Sequence, residues 1–131
     1  MLGGKVPLHG GGRAEKSYIH ARDLGKAIYL VAKKGKLGEI YNAGPASPTS
    51  IKEVVERCAV AMNKSFEDVC EMAPDRLGQD SRYWLDSTKI KNDVGWVPEI
   101  GWEQGLMEMV DWAEKYLDQL KFVSTEYTLR G

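Results

Sequence analysis

Three basic side chains stand outside the strongest helical patterns of this chain: Lys16, Arg76 and Arg82. An arginine presents a planar fork that grips a diphosphate through two parallel hydrogen bonds, while a lysine supplies a compact charge. Asn42 closes an expected strand and carries both acceptor and donors, so it can read the edge of a base or a sugar. Surface ion pairs and turn bonds use the same residue types, and composition leaves both roles open.

Other chemistry has less to work with. His9 and His20 are the only histidines and lack metal-ligand spacing. His9 beside glycines reads as a solvated loop residue, and His20, just before an amphipathic helix, as a structural one. Acids such as Glu108 and Asp111 scatter over helix faces, where i,i+4 pairing and solvation account for them. Cys58 and Cys70 also lack metal-ligand spacing and read as free thiols. The run Gly10-Gly11-Gly12 is neither a G-x-G-x-x-G between strand and helix nor a G-x-x-x-x-G-K-[ST] loop, so it reads as a flexible turn. No catalytic residue and no metal ligand is assigned.

The elements that must position these residues follow from periodicity and punctuation. Lys5 to His9 fits a short strand. Leu24, Ala27, Ile28, Val31 and Ala32 recur at helical spacing, so a helix is expected from about Ala21 to Lys33, stopped by Gly35 and Gly38. Glu39 to Ala43 reads as a brief strand ended by Gly44-Pro45. Ser50 with Glu53 three residues on predicts a capping box. The helix behind it carries the stripe Ile51, Val54, Val55, Cys58, Ala59 and Met62. Val69 to Ala73 fits a strand. Asp86 or Ser87 should cap a short helix through Val94 that ends at Gly95. A last helix is expected from Trp102 to Leu120, with Leu106, Met109, Val110, Ala113, Leu117 and Leu120 on its buried side. Trp84, Trp96, Trp102 and Trp112 read as packing anchors at element boundaries. The fold class is α+β, a small mixed domain with more helix than strand.

With 131 residues the chain suits one domain, set at residues 1–120, with a tail at 121–131. A net charge of -1 gives no electrostatic case for nucleic acid or an anionic membrane surface. No apolar run approaches the roughly 20 residues needed to span a bilayer, and the first residues lack a signal-peptide core. A cytoplasmic setting is the expectation.

Several motifs in order carry a family resemblance. His9-Gly-Gly-Gly-Arg-Ala-Glu-Lys-Ser-Tyr-Ile-His-Ala-Arg-Asp-Leu24 is similar to Y-G-D-G-x-x-x-R-D-[FYW]-[IL]-[HY]-V-x-D-[LH]. Gly38-Glu-Ile-Tyr-Asn-Ala-Gly44 is similar to G-E-x-Y-N-[IV]-G, and Asp75-Arg-Leu-Gly-Gln-Asp-Ser-Arg-Tyr83 to D-R-P-G-H-D-x-R-Y. Asp86-Ser-Thr-Lys-Ile-Lys, Val94-Gly-Trp-Val-Pro98 and Glu103-Gln-Gly-Leu106 complete the series. From about Gly3 to Leu120 the chain resembles the C-terminal region of the NAD-dependent epimerase/dehydratase family, the extended short-chain dehydrogenases, nearest their 4,6-dehydratases.

The resemblance implies a partner, a dTDP- or UDP-hexose. It places Lys16 and Arg76 toward the diphosphate or nucleoside and Asn42 on the nucleotide, with Asp75, Gly78 and Gln79 shaping the same wall. The family's arginine-aspartate is Lys16-Ser17 here, its proline and histidine are Leu77 and Gln79, and Ser81 replaces an arginine; a two-pronged grip becomes a point charge at Lys16. The nicotinamide site and the Tyr-x-x-x-Lys pair that drive the family's hydride chemistry map to no assigned residues. NAD is therefore expected only with an N-terminal Rossmann domain, and this chain is expected to be inactive alone. The alternative is a stand-alone, non-catalytic binding or self-associating module from a truncated gene. Without a Rossmann layer, the Ala21–Lys33 helix and the Tyr41-Asn42 strand would be left uncovered, so homo-oligomers are expected there.

Overall fold

The computed structural model describes residues 3–123. Helix outweighs strand, as the α+β expectation requires. In chain order the elements are β1 (Val6–His9), a 3-10 turn (Gly10–Gly12), β2 (Glu15–Lys16), α1 (Ala21–Lys34), β3 (Thr49–Ser50) and α2 (Ile51–Ala61). Then come α3 (Phe66–Val69), β4 (Cys70–Ala73), β5 (Arg82–Tyr83), α4 (Thr88–Val94), α5 (Trp102–Lys115) and α6 (Leu117–Leu120). Strands β1 and β4 pair in parallel, Val6 opposite Cys70. The second sheet has the order β3-β2-β5, with β2 antiparallel to β3 and parallel to β5.

Caps set most boundaries. His20 begins α1 by accepting from the Arg22 backbone N–H. Ser50 begins α2 by accepting from Glu53 N–H, but the expected box is only half made, because the Glu53 carboxylate turns to Arg57 at 2.6 Å instead. The reciprocal box is at Ser65 and Asp68, and it starts α3, a turn of helix where no element was expected. Asp86 accepts from Thr88 N–H ahead of α4. Gly95 ends that helix in the left-handed region, φ 75°, where glycine carries no Cβ penalty.

The hydrophobic core cluster joins Ala27 of α1, Ile90 and Val94 of α4, and Trp96, with Ile19, Leu30, Val31, Tyr41 and Ala43 packed around them. Asp23 is buried at 3% exposure. It is no solvated helix acid: its carboxylate accepts the backbone N–H groups of Glu99 (3.1 Å) and Ile100 (2.9 Å), and its carbonyl accepts Trp96 Nε1–H at 3.0 Å. Leu8, Ala59, Val69 and Cys70 are the other buried apolar residues, on β1, α2, α3 and β4.

Further expectations about the elements need correction. Residues 39–43 form no strand; a strand exists by its ladder, and among the described residues no neighbour pairs with this stretch. Lys89 of α4 binds the Glu39 carboxylate and the Ile40 carbonyl, and the Tyr41 hydroxyl donates to Asp93 of α4 and accepts the Lys36 backbone N–H. The apolar stripe of α1 splits: Asp23 and Ala27 are buried, whereas Leu24 and Ile28 are exposed, Ile28 at 64%. The last helix breaks at Tyr116, whose ring leans back on Trp112. Met109 points outward, because α5 packs mainly on α2 and buries no residue completely. Trp84 and Trp112 are about half exposed, and only Trp96 is a core anchor. Of the expected tail, residues 124–131 lie outside the described part.

Candidate functional site

The 6–16 and 70–83 segments run side by side, joined by the parallel ladders β1/β4 and β2/β5. Between the ladders, one segment uses five residues (10–14) and the other eight (74–81). The surplus must bulge, and the bulge carries Asp75, Arg76, Gly78 and Gln79. Both ends of the loop are tied down. His9 Nδ1 meets the Pro74 carbonyl at 2.7 Å, and Arg13 meets the Asp75 carboxylate at 3.6 Å. At the other end Glu15 N–H donates to Ser81 O at 2.8 Å, and Lys16 Nζ to Asp80 O at 3.1 Å.

The glycine turn is part of this arrangement. All three glycines have positive φ. A Cβ at Gly10 would collide with the Asp75 carboxylate, and one at Gly12 would stand 2.7 Å from the Lys52 backbone nitrogen. The turn is thus closely packed where a flexible link was expected. A carboxylate over Gly10 also repels a phosphate, so the turn does not fit the pyrophosphate of a dinucleotide.

The candidate residues fall into distinct settings. Asp75, Arg76, Gly78, Gln79, Arg82 and Asn42 are exposed, and Lys16 is half-buried. Lys16 is the register partner of Tyr83, its ammonium 5.9 Å from the ring centroid. Arg82 is the register partner of Glu15 and bonds its carboxylate at 3.0 Å. Neighbours along a strand point to opposite faces, so Lys16 and Arg82 lie on opposite sides of the sheet. Among the described residues, the Arg76 and Gln79 side chains make no hydrogen bond or ion pair. Arg76 is thus the uncommitted guanidinium of the loop.

Asn42 reaches the group indirectly. Ser87 Oγ donates to the Gly44 carbonyl at 3.0 Å and accepts Gly44 N–H at 2.9 Å. Trp84 Nε1–H donates to Pro45 O at 3.3 Å. These bonds tie the Asn42–Pro45 segment to residues 84–87, just beyond β5. The sequence pattern alone does not mark Gly10, Gly12, Ser87 or Trp84 as part of this group; glycine density at a strand end is the one available signal.

A cavity of about 580 Å³ lies elsewhere, between α2 and α5. Glu53, Glu56 and Glu103 rim it beside Arg57 and Trp102, an acidic edge ill suited to a dianion. Among the described residues no cluster of metal ligands occurs. His20, which caps α1, stands 3.6 Å from Glu108. Glu108 is more than a solvated acid: it binds Arg22 across to α1 and Gln104 on its own helix. A Tyr-x-x-x-Lys spacing does occur, at Tyr29 and Lys33 of α1. There Tyr29 is 59% exposed, and the ammonium sits 5.2 Å from the ring centroid as a cation–π contact.

A family model described as GDP-mannose 4,6 dehydratase matches residues 2–109, and the chain belongs to that family. It is similar to dTDP-glucose 4,6-dehydratase of Haemophilus influenzae, 35% identical over 122 residues, covering 86% of this chain and 36% of that protein. Its structure is similar to that of DesIV, a dTDP-glucose 4,6-dehydratase from Streptomyces venezuelae with NAD and TYD bound, at TM-score 0.81 and 30% identity; the match covers 89% of this chain and 36% of that one. A UDP-glucose 4-epimerase from Thermotoga maritima with UDP-glucose matches at TM-score 0.80 and 28% identity, covering 89% of this chain and 37% of the other. The chain spans about a third of the length of the curated relatives it matches.

Proposed function

We propose that this chain holds a nucleoside diphosphate hexose, of the dTDP or UDP type, as the substrate-binding portion of an NAD-dependent 4,6-dehydratase-like protein. The binding unit is residues 1–120, and the setting is the cytoplasm. The observation that carries the reading is the tethered loop, which holds Arg76 uncommitted at the surface with Lys16 at its base. A diphosphate needs donors that no other group has claimed, and a guanidinium supplies them in pairs. Asp75, Gly78 and Gln79 shape the loop, Asn42 contacts the nucleotide, and Arg82 contributes from the second face of the sheet. The NAD chemistry belongs to a Rossmann portion of the assembly, and the chain by itself binds without turnover.

Calorimetric titration with dTDP-glucose and UDP-glucose tests this. Arg76→Ala should weaken binding by about 1–3 kcal/mol, the worth of a hydrogen bond to a charged group. An affinity unchanged by that substitution removes Arg76 from the site, and no binding of either compound removes the reading itself.

The exposed residues Leu24, Ile28 and Tyr29 of α1, with Leu37 and Ile40 beyond it, support self-association when nothing else covers them. Sedimentation of the chain should show a weight-average mass that rises with concentration. A monomer mass at every concentration counts against it.

A further inference from the structure

The geometry points to Trp84 as the stacking platform for the nucleobase of the bound nucleotide, a role that rests on the nucleotide-sugar reading above. Trp84 leaves 45% of its surface in water, yet it is not loose. Its Nε1–H is fixed on the Pro45 carbonyl, and the Arg82 guanidinium lies 5.9 Å from its ring centroid. Burial of a large aromatic ring is strongly favourable, so a ring held in place and half exposed leaves apolar surface for a flat partner to cover. Its position suits one kind of partner. Recognition of an unpaired base takes a stacking surface and a group that reads the base edge. The bond to Pro45 brings Trp84 to the segment that carries Asn42, whose amide offers both donor and acceptor. Arg82, two residues before Trp84, is held by the Glu15 carboxylate at 3.0 Å and lines the same face of the sheet. Tyr83 is also exposed, but it faces Lys16 on the other side of the sheet, and among the described residues no hydrogen bond links its ring to the Asn42 segment.

The test uses the 131-residue chain with dTDP, UDP, glucose 1-phosphate and inorganic pyrophosphate as probes, read by tryptophan fluorescence and calorimetry. Trp84→Ala should weaken dTDP binding roughly tenfold, in line with alanine substitution at base-stacking aromatics. It should leave pyrophosphate binding unchanged. Trp84→Phe, which keeps a stacking face, should restore most of the affinity and abolish the dTDP-induced fluorescence change. Trp112→Phe, at the other strongly exposed tryptophan, should preserve that change. Far-UV circular dichroism of each variant confirms that it is folded. If dTDP binding depends on Arg76 but not on Trp84, this assignment falls and the nucleotide-sugar reading stands. If Trp84→Ala weakens glucose 1-phosphate but not dTDP, the platform serves the sugar and the assignment is overturned. If the wild-type chain binds none of the four probes, both readings fall together.

Discussion

Trp96 and Trp84 each donate an indole N–H to a backbone carbonyl, Trp96 to Asp23 and Trp84 to Pro45, and there the likeness ends. Trp96 is 1% exposed within the α1/α4 cluster, whereas Trp84 is 45% exposed at the edge of a three-stranded sheet. Around Trp96 the polar groups serve folding, and Asp23 is engaged by two backbone donors of the 96–100 segment. Around Trp84 and along residues 74–82 the polar groups are only partly spent: Asp75 and Lys16 anchor the loop, and Arg76 stays uncommitted. The region that stabilises the chain and the proposed binding region are thus separable, which allows substitutions to act on one without the other.

The strongest way to break the contrast is at the core. Trp96→Ala should lower unfolding free energy by about 3–5 kcal/mol, the usual cost of emptying a buried aromatic site, as measured by urea denaturation. Trp84→Ala, at a half-exposed position, should cost no more than about 1 kcal/mol in the same experiment; equal losses would erase the distinction. Next in size is Gly10→Ala. It forces a Cβ into the left-handed region, about 1–2 kcal/mol by itself, and drives it against Asp75. Both stability and ligand affinity should fall, whereas Arg76→Ala should change affinity alone, with stability held within about 0.5 kcal/mol.

The smallest effect is electrostatic. The Gln104 side chain, and then the Arg22 guanidinium, hold the Glu108 carboxyl below its ordinary range against a partial desolvation that acts the other way. A depressed carboxylate adds stability above its unfolded pKa and loses it as the pH falls through the folded value. Melting temperature measured from neutral pH down through the carboxylate range should therefore fall less steeply in Glu108→Gln than in the parent chain. Superimposable acid limbs would show that the Arg22–Glu108 contact does not couple α1 to α5.

Local signals were legible wherever the physics is local. His20, Ser50 and Gly95 mark helix ends through a backbone bond or a positive φ within a few residues, and the α1, α2 and α4 boundaries followed closely. Ordered motifs were enough to indicate the family. The candidate site was legible as residue types, not as an arrangement. Nothing near Lys16 or Arg82 in sequence says that the register of β2 and β5 sends them to opposite faces. Nor does the Gly10-Gly11-Gly12 run announce that Asp75 and Lys52 will stand against it.

Chain order and short-range hydrogen bonding by themselves determined where α1, α2 and α4 begin and end, which glycine stops α4, and to which family the motifs belong. Contacts across roughly 50 to 80 positions decided the rest. They decided that Asp23 would be interior, where it accepts the N–H groups of Glu99 and Ile100, and that residues 39–43 would rest on α4 without a ladder. They also bracketed the Arg76 loop between two parallel pairings of unequal span. A side chain's role depends on which partner takes its hydrogen bond, and for these residues the partner comes from a distant part of the chain.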